Sequence, residues 1–109
     1  MSDTPDKWVM VELTNKDNKS YYRIFACWYG GYLGSDSWKL NSGVTKITED
    51  KHSYYFEGSS GSVYICDKRT YGTSGYGAGV LGNLITKNKD TLEMEILPLE
   101  TNFMELNYA

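Results

Sequence analysis

Residues 20–29 read SYYRIFACWY, and the fold turns on how that run is covered. So long a stretch of aromatic and apolar side chains reads as a strand. Tyr21, Phe25, Cys27 and Tyr29 fall on one face, and Tyr22, Ile24, Ala26 and Trp28 on the other. A strand with one wet face alternates apolar and polar residues, whereas this one is apolar on both. One face can pack on the core. The other needs a helix, a loop or a second subunit, and Tyr22, Ile24 and Trp28 are the candidate residues of an oligomer interface.

The flanking sequence supplies the partners. WVMVEL (Trp8–Leu13) alternates and is separated from the long strand by TNKDNK, a polar turn cluster, so the two form a hairpin. A loop over 30–37 leads to WKLNSGVTKITED, a strand interrupted at Ser42-Gly43, where a bulge or sharp bend is expected. SYYFE and SVYIC follow, joined by the GSSG loop (Gly58–Gly61). TLEMEIL alternates again and stops at Pro98, and the tail over 99–108 fits either a short helix capped by Thr101 or an edge strand. Strands joined by short turns predict a mainly β protein, a small antiparallel barrel or rolled sheet of about five to six strands. One short helix is expected near 78–88. A single β-rich domain would run from 7 to 109 behind a loose tail over 1–6.

The helix region contains the one motif that invites a specific chemistry, Gly77-x-Gly79-x-x-Gly82. A dinucleotide site needs a buried strand running into the first glycine and a helix N-terminus facing the pyrophosphate. Here GTSGY precedes Gly77, which is turn chemistry, and the chain offers meander signals where βαβ units are required. The spacing is a coincidence of composition. The loop reads instead as a connection that folds Tyr71 and Tyr76 over the sheet, or as a recognition surface of tyrosines and small residues.

Bulk properties narrow the classes further. The chain has 109 residues, enough for one core, with a net charge of −3 and scattered basic residues. Gripping a long nucleic acid by its phosphates takes a dense basic face, which only Lys68, Arg69, Lys87 and Lys89 could form locally. Aromatics make up 15%, mostly tyrosine, which suits both half-buried strands and interfaces. No stretch resembles a signal peptide or reaches membrane-spanning length, so the expected location is the cytoplasm, with Cys27 and Cys66 reduced and buried. No cofactor and no metal are expected. His52 is the single histidine and sits in a turn, far from the spacing of a zinc motif, and NKDN and GSDS lack a calcium loop's spacing. No nucleophile–base pair stands out. Glu93 and Glu95 share a strand face, and Glu12 on a neighbouring strand would complete a carboxylate group.

Two stretches resemble Sm-like proteins. DSWKLN carries Asp36, Leu40 and Asn41 in the order of that family's Asp…hydrophobic-Asn loop, and FEGSSGSVYI carries Gly58 ahead of the apolar Val63 and Ile65. Glu57 stands where the family carries arginine. The resemblance spans residues 8–66 and implies a ring-forming homo-oligomer that binds single-stranded RNA, Trp38 or a nearby aromatic stacking a base and Asn41 hydrogen-bonding it. Three expectations follow for function. The first is a non-enzymatic interaction module that self-associates through strand edges and aromatic surface. The second is single-stranded nucleic-acid binding, and the third a small-molecule or enzymatic site under the loop 71–82, beside Tyr71 and Tyr76.

Overall fold

The computed structural model describes residues 2–30 and 34–108, so part of the loop expected over 30–37 lies outside them. In chain order the strands are β1 (Ser2–Asp3), β2 (Lys7–Asn15), β3 (Ser20–Trp28), β4 (Ser37–Leu40) and β5 (Val44–Glu49). They continue with β6 (Ser53–Gly58), β7 (Val63–Asp67), the helix α1 (Gly75–Asn88), β8 (Leu92–Ile96) and a 3-10 turn at Phe103–Glu105.

Two four-stranded sheets result. One has the order β4-β3-β2-β8, and the other the order β1-β7-β6-β5. All neighbours pair antiparallel except β1 and β7, where Ser2 and Asp3 lie parallel to Val63 and Tyr64. Residues 2 and 3, assigned to a tail in the sequence reading, thus belong to a sheet. The sheets remain separate and do not close into a barrel.

The reason lies at residues 41–43. β4 pairs with β3, and β5 pairs with β6, so the interruption at Ser42-Gly43 moves the chain from one sheet to the other. Gly43 takes φ 125°, which L side chains rarely adopt. A register shift between Val44 and Lys46 adds the bulge.

Turn chemistry fixes the hairpins. Asn15 Oδ1 accepts the N–H groups of Asp17 (2.9 Å) and Lys19 (3.0 Å), and Asn18 adopts φ 61°. At the β5–β6 turn, Asp50 accepts from the Tyr55 hydroxyl (2.5 Å) and from the backbone N–H groups of His52 and Ser53. Those bonds, the tyrosine's foremost, pull the Asp50 carboxyl down to about 2. His52 is an exposed member of that turn.

Three layers account for the two-faced strand. Trp8, Met10, Ile24 and Ala26 pack against Val44, Phe56, Tyr64 and Cys66, filling the space between the sheets. Val9, Val11, Leu13, Phe25 and Cys27 pack on the other side against Leu81 of α1. Both faces of β3 are therefore covered from within the chain over Ile24–Cys27, while Tyr21 near its start is half exposed. Ile24 is fully buried between the sheets, with Tyr22 and Trp28 half-buried around it, so its face is an interior one rather than an outer surface.

The helix begins earlier than its composition predicts. Ser74 is buried and caps it, its Oγ accepting the Gly77 N–H at 2.9 Å. Gly77, Gly79 and Gly82 consequently all lie inside α1, with no strand leading into the first of them. After β8 and Pro98, the tail forms neither a strand nor a Thr101-capped helix. It makes the short 3-10 turn, entered at Asn102, which drives Phe103 into the core.

Candidate functional site

The sequence-predicted residues fall in separate places. Asn41 is opposite Ile24 on the face between the sheets: its N–H donates to Ile24 O (3.0 Å) and its Oδ1 accepts the Ile24 N–H (2.8 Å). The side-chain carbonyl continues the β3–β4 ladder where the backbone turns away. Gly58 adjoins it, since a Cβ there would stand 3.4 Å from Asn41 Nδ2 and 3.3 Å from Ser42 Oγ. Trp38 does not join them. It pairs with Cys27 on the helix side of the sheet and stacks on Phe25 at 5.5 Å, so Trp38 and Asn41 lie on opposite faces.

Tyr71 and Tyr76 also part company. The Tyr71 hydroxyl donates to Leu97 O (2.5 Å) and accepts the Met10 N–H (3.2 Å), tying the loop to two backbone segments. Burial raises its pKa above the ordinary tyrosine value. Tyr76 is half exposed on α1. Of the four basic residues considered as a patch, Lys68 pairs with Glu49 (2.6 Å) and Arg69 with Asp67 (3.0 Å). Both cysteines are free and buried, and burial pushes the Cys66 thiol up. Among the described residues no group of His, Cys, Asp and Glu could hold a metal ion, and no helix is long and apolar enough to cross a membrane.

The carboxylates of β8 are better placed. β8 closes one end of its sheet, pairing with β2 on one side. Its register sets Glu95 directly opposite Glu12 and Glu93 opposite Thr14, so three carboxylates share the face away from α1. Met94 lies opposite Leu13, facing the helix. A groove of about 430 Å³ follows this edge, with Ile85, Leu92 and Met94 supplying its apolar part and Lys89 one end. Among sheet edges, β5 carries a bulge, β1 is two residues long and β4 four. β8 is five residues long, regular and flanked by a groove.

Compared with protein-family models, curated proteins and solved structures, the chain matches none.

Like charges directly opposite on a sheet repel. Exchanging Glu95 for lysine should turn the Glu12 contact into an attraction and raise stability by about 0.5–1 kcal/mol. Urea denaturation at low salt would show it, and the gain should shrink in high salt. An unchanged midpoint at low salt would mean that the two carboxylates do not feel each other.

Proposed function

We propose that this protein is a non-catalytic interaction module that receives an extended, basic segment of a partner protein as an added strand along β8. The observation that carries this reading is the regular edge of β8 and the groove along it, lined by the apolar Ile85, Leu92 and Met94 and by Glu12, Glu93 and Glu95. An edge strand presents unpaired backbone N–H and C=O groups, which supply affinity to an added strand, while alternate side chains supply selectivity. Here the added strand needs apolar residues toward Ile85 and Met94, and lysine or arginine toward the glutamates.

The same charges disfavour a second copy on this edge. Antiparallel pairing of β8 with its twin, helices kept on one side of the joint sheet, brings glutamate opposite glutamate. Edge charges of this kind are a common guard against self-pairing. The apolar character of β3, which favoured self-association at the sequence level, is accounted for by packing within the chain. Stacking and hydrogen bonding of one RNA base by Trp38 and Asn41 draws no support from two side chains on opposite faces of a sheet.

The test is fluorescence anisotropy with two capped peptides of alternating sequence, one Lys-Val-Lys-Val-Lys and one Glu-Val-Glu-Val-Glu. The lysine peptide should bind and lose affinity as salt rises, and the double variant Glu93→Lys/Glu95→Lys should weaken it by roughly tenfold, from two cross-strand charge pairs. Equal binding of both peptides, or none by either, would dispose of the proposal.

A further inference from the structure

The crossing from β4 to β5 leaves another opening. It is a cleft of about 270 Å³ between the start of β3, the residues after Asn41 and the C-terminal tail. We infer that this cleft is a binding site for a neutral sugar ring, independent of the β8 edge.

Charge narrows the ligand first. None of the residues lining the cleft is ionisable as an acid or a base near neutral pH, tyrosines included, and the neighbouring Glu12 carboxylate is held on the Tyr22 hydroxyl at 3.3 Å, so an anion finds no counter-charge there. Burial, followed by the Glu12 carboxylate, raises the Tyr22 pKa further, and burial does the same for Tyr108.

The wall chemistry narrows it again. Tyr22 and Tyr108 meet edge to face at 5.4 Å, and Tyr21 stands half exposed. Aromatic faces of this kind suit the C–H face of a pyranose. Around them are hydroxyl groups of Ser42, Thr45 and Ser59, which donate to Ser60 Oγ, Glu57 O and Ser42 O and keep lone pairs to accept from a ligand hydroxyl. A ligand that is apolar on its ring faces and rich in hydroxyls at its rim matches both.

One polar group in the same corner is unspent. Asn41 is 5% exposed, and its Nδ2 is buried without a hydrogen-bond partner, although its Oδ1 is bonded to Ile24. The amide nitrogen gathers with Ser42 Oγ and Gly43 O around Gly58, next to the cleft-lining Ser59. Buried polar nitrogens are nearly always paired, and this orphan lies behind the cleft wall at Ser42 and Ser59, where an acceptor reaching inward would satisfy it. Arg23 Nε, the other unpartnered buried nitrogen among the described residues, belongs to the opposite face of β3.

The experiment is a titration of the ¹⁵N-labelled protein with methyl β-D-glucopyranoside, followed by amide and Asn side-chain chemical shifts, with glucuronate as the charged comparison. The glucoside should move the Asn41 side-chain NH2 signals and the amides of Tyr22, Ser42 and Ser59, while glucuronate binds much more weakly. Two exposed changes keep the test free of folding effects: Tyr21→Ala should weaken binding by about fivefold through loss of ring contact, and Thr45→Lys should abolish it. No shifts at saturating glucoside, shifts confined to other surfaces, or equal response to glucuronate would each overturn the assignment. So would full binding by both variants.

Discussion

Replacing Gly77 with alanine is expected to destabilise the protein by about 3 kcal/mol, the upper part of the range for overpacking a core. An added Cβ would stand 2.4 Å from Cys27 Sγ, 3.1 Å from Ser74 Oγ and 3.4 Å from Phe25 Cε2. Cys27 and Phe25 have no exposed surface, so α1 must lift from β3 or the strand must deform. The neighbouring glycines provide the contrast. A Cβ at Gly79 or Gly82 meets nothing within 4 Å, and alanine there should stabilise the helix by about 0.8–1 kcal/mol each. Denaturation midpoints of the three single variants should therefore split in sign. Adding Cys27→Ala to Gly77→Ala should restore part of the loss, a coupling that a double-mutant cycle measures. Three variants shifting in the same direction would mean that α1 does not rest on Cys27 through Gly77.

The other large effect is expected at Trp8. Its ring centroid lies 4.7 Å from that of Tyr71, 5.4 Å from Phe56, 5.5 Å from Phe103 and 6.0 Å from Tyr54. Its Nε1 donates to Asp67 O at 2.8 Å. One side chain of β2 thus joins the opposite sheet, the loop before α1 and the tail. Truncation to alanine should cost about 4 kcal/mol or more, from lost burial, an unfilled cavity and the orphaned carbonyl of Asp67. That is a large part of the roughly 5–15 kcal/mol holding an ordinary domain together. Trp8→Phe keeps most of the ring contact and should lose markedly less. Urea unfolding monitored by circular dichroism distinguishes them; an alanine variant within 1 kcal/mol of wild type would show that Trp8 is not the joint.

These two positions also mark what can be read from the sequence. Alternation and turn residues gave away the β2–β3 hairpin, the β6–β7 pair and β8, because period-two patterning reports directly on which side chains share a face. The break at Ser42-Gly43 was visible too, but not its consequence. A bend that rolls one sheet and a bend that passes the chain to another sheet use the same residues, and alternation names faces without naming what lies across from them. Hence Ile24 reads equally well as interface or interior. The start of α1 was obscured because glycine is a poor helix former, and only the contact with Cys27 explains why it is used at position 77. In the candidate sites, the period-two spacing of Glu93 and Glu95 puts both on one strand face, and strand register adds Glu12 to it. That Trp38 is divided from Asn41 by the sheet follows from strand register, visible once Cys27 and Ile24 are assigned their partners.

The return of β8 to β2 has a consequence for biosynthesis. β5, β6 and β7 are successive in the chain and can pair as soon as residue 67 has emerged from the ribosome. The other sheet cannot be finished so early, because Leu13 waits for Met94 and Trp8 for Phe103. Through translation of more than half the chain, β2 is an open edge beside a tryptophan that still lacks Phe103. The stretch after Asn88 then closes the strand edge and the aromatic cluster alike.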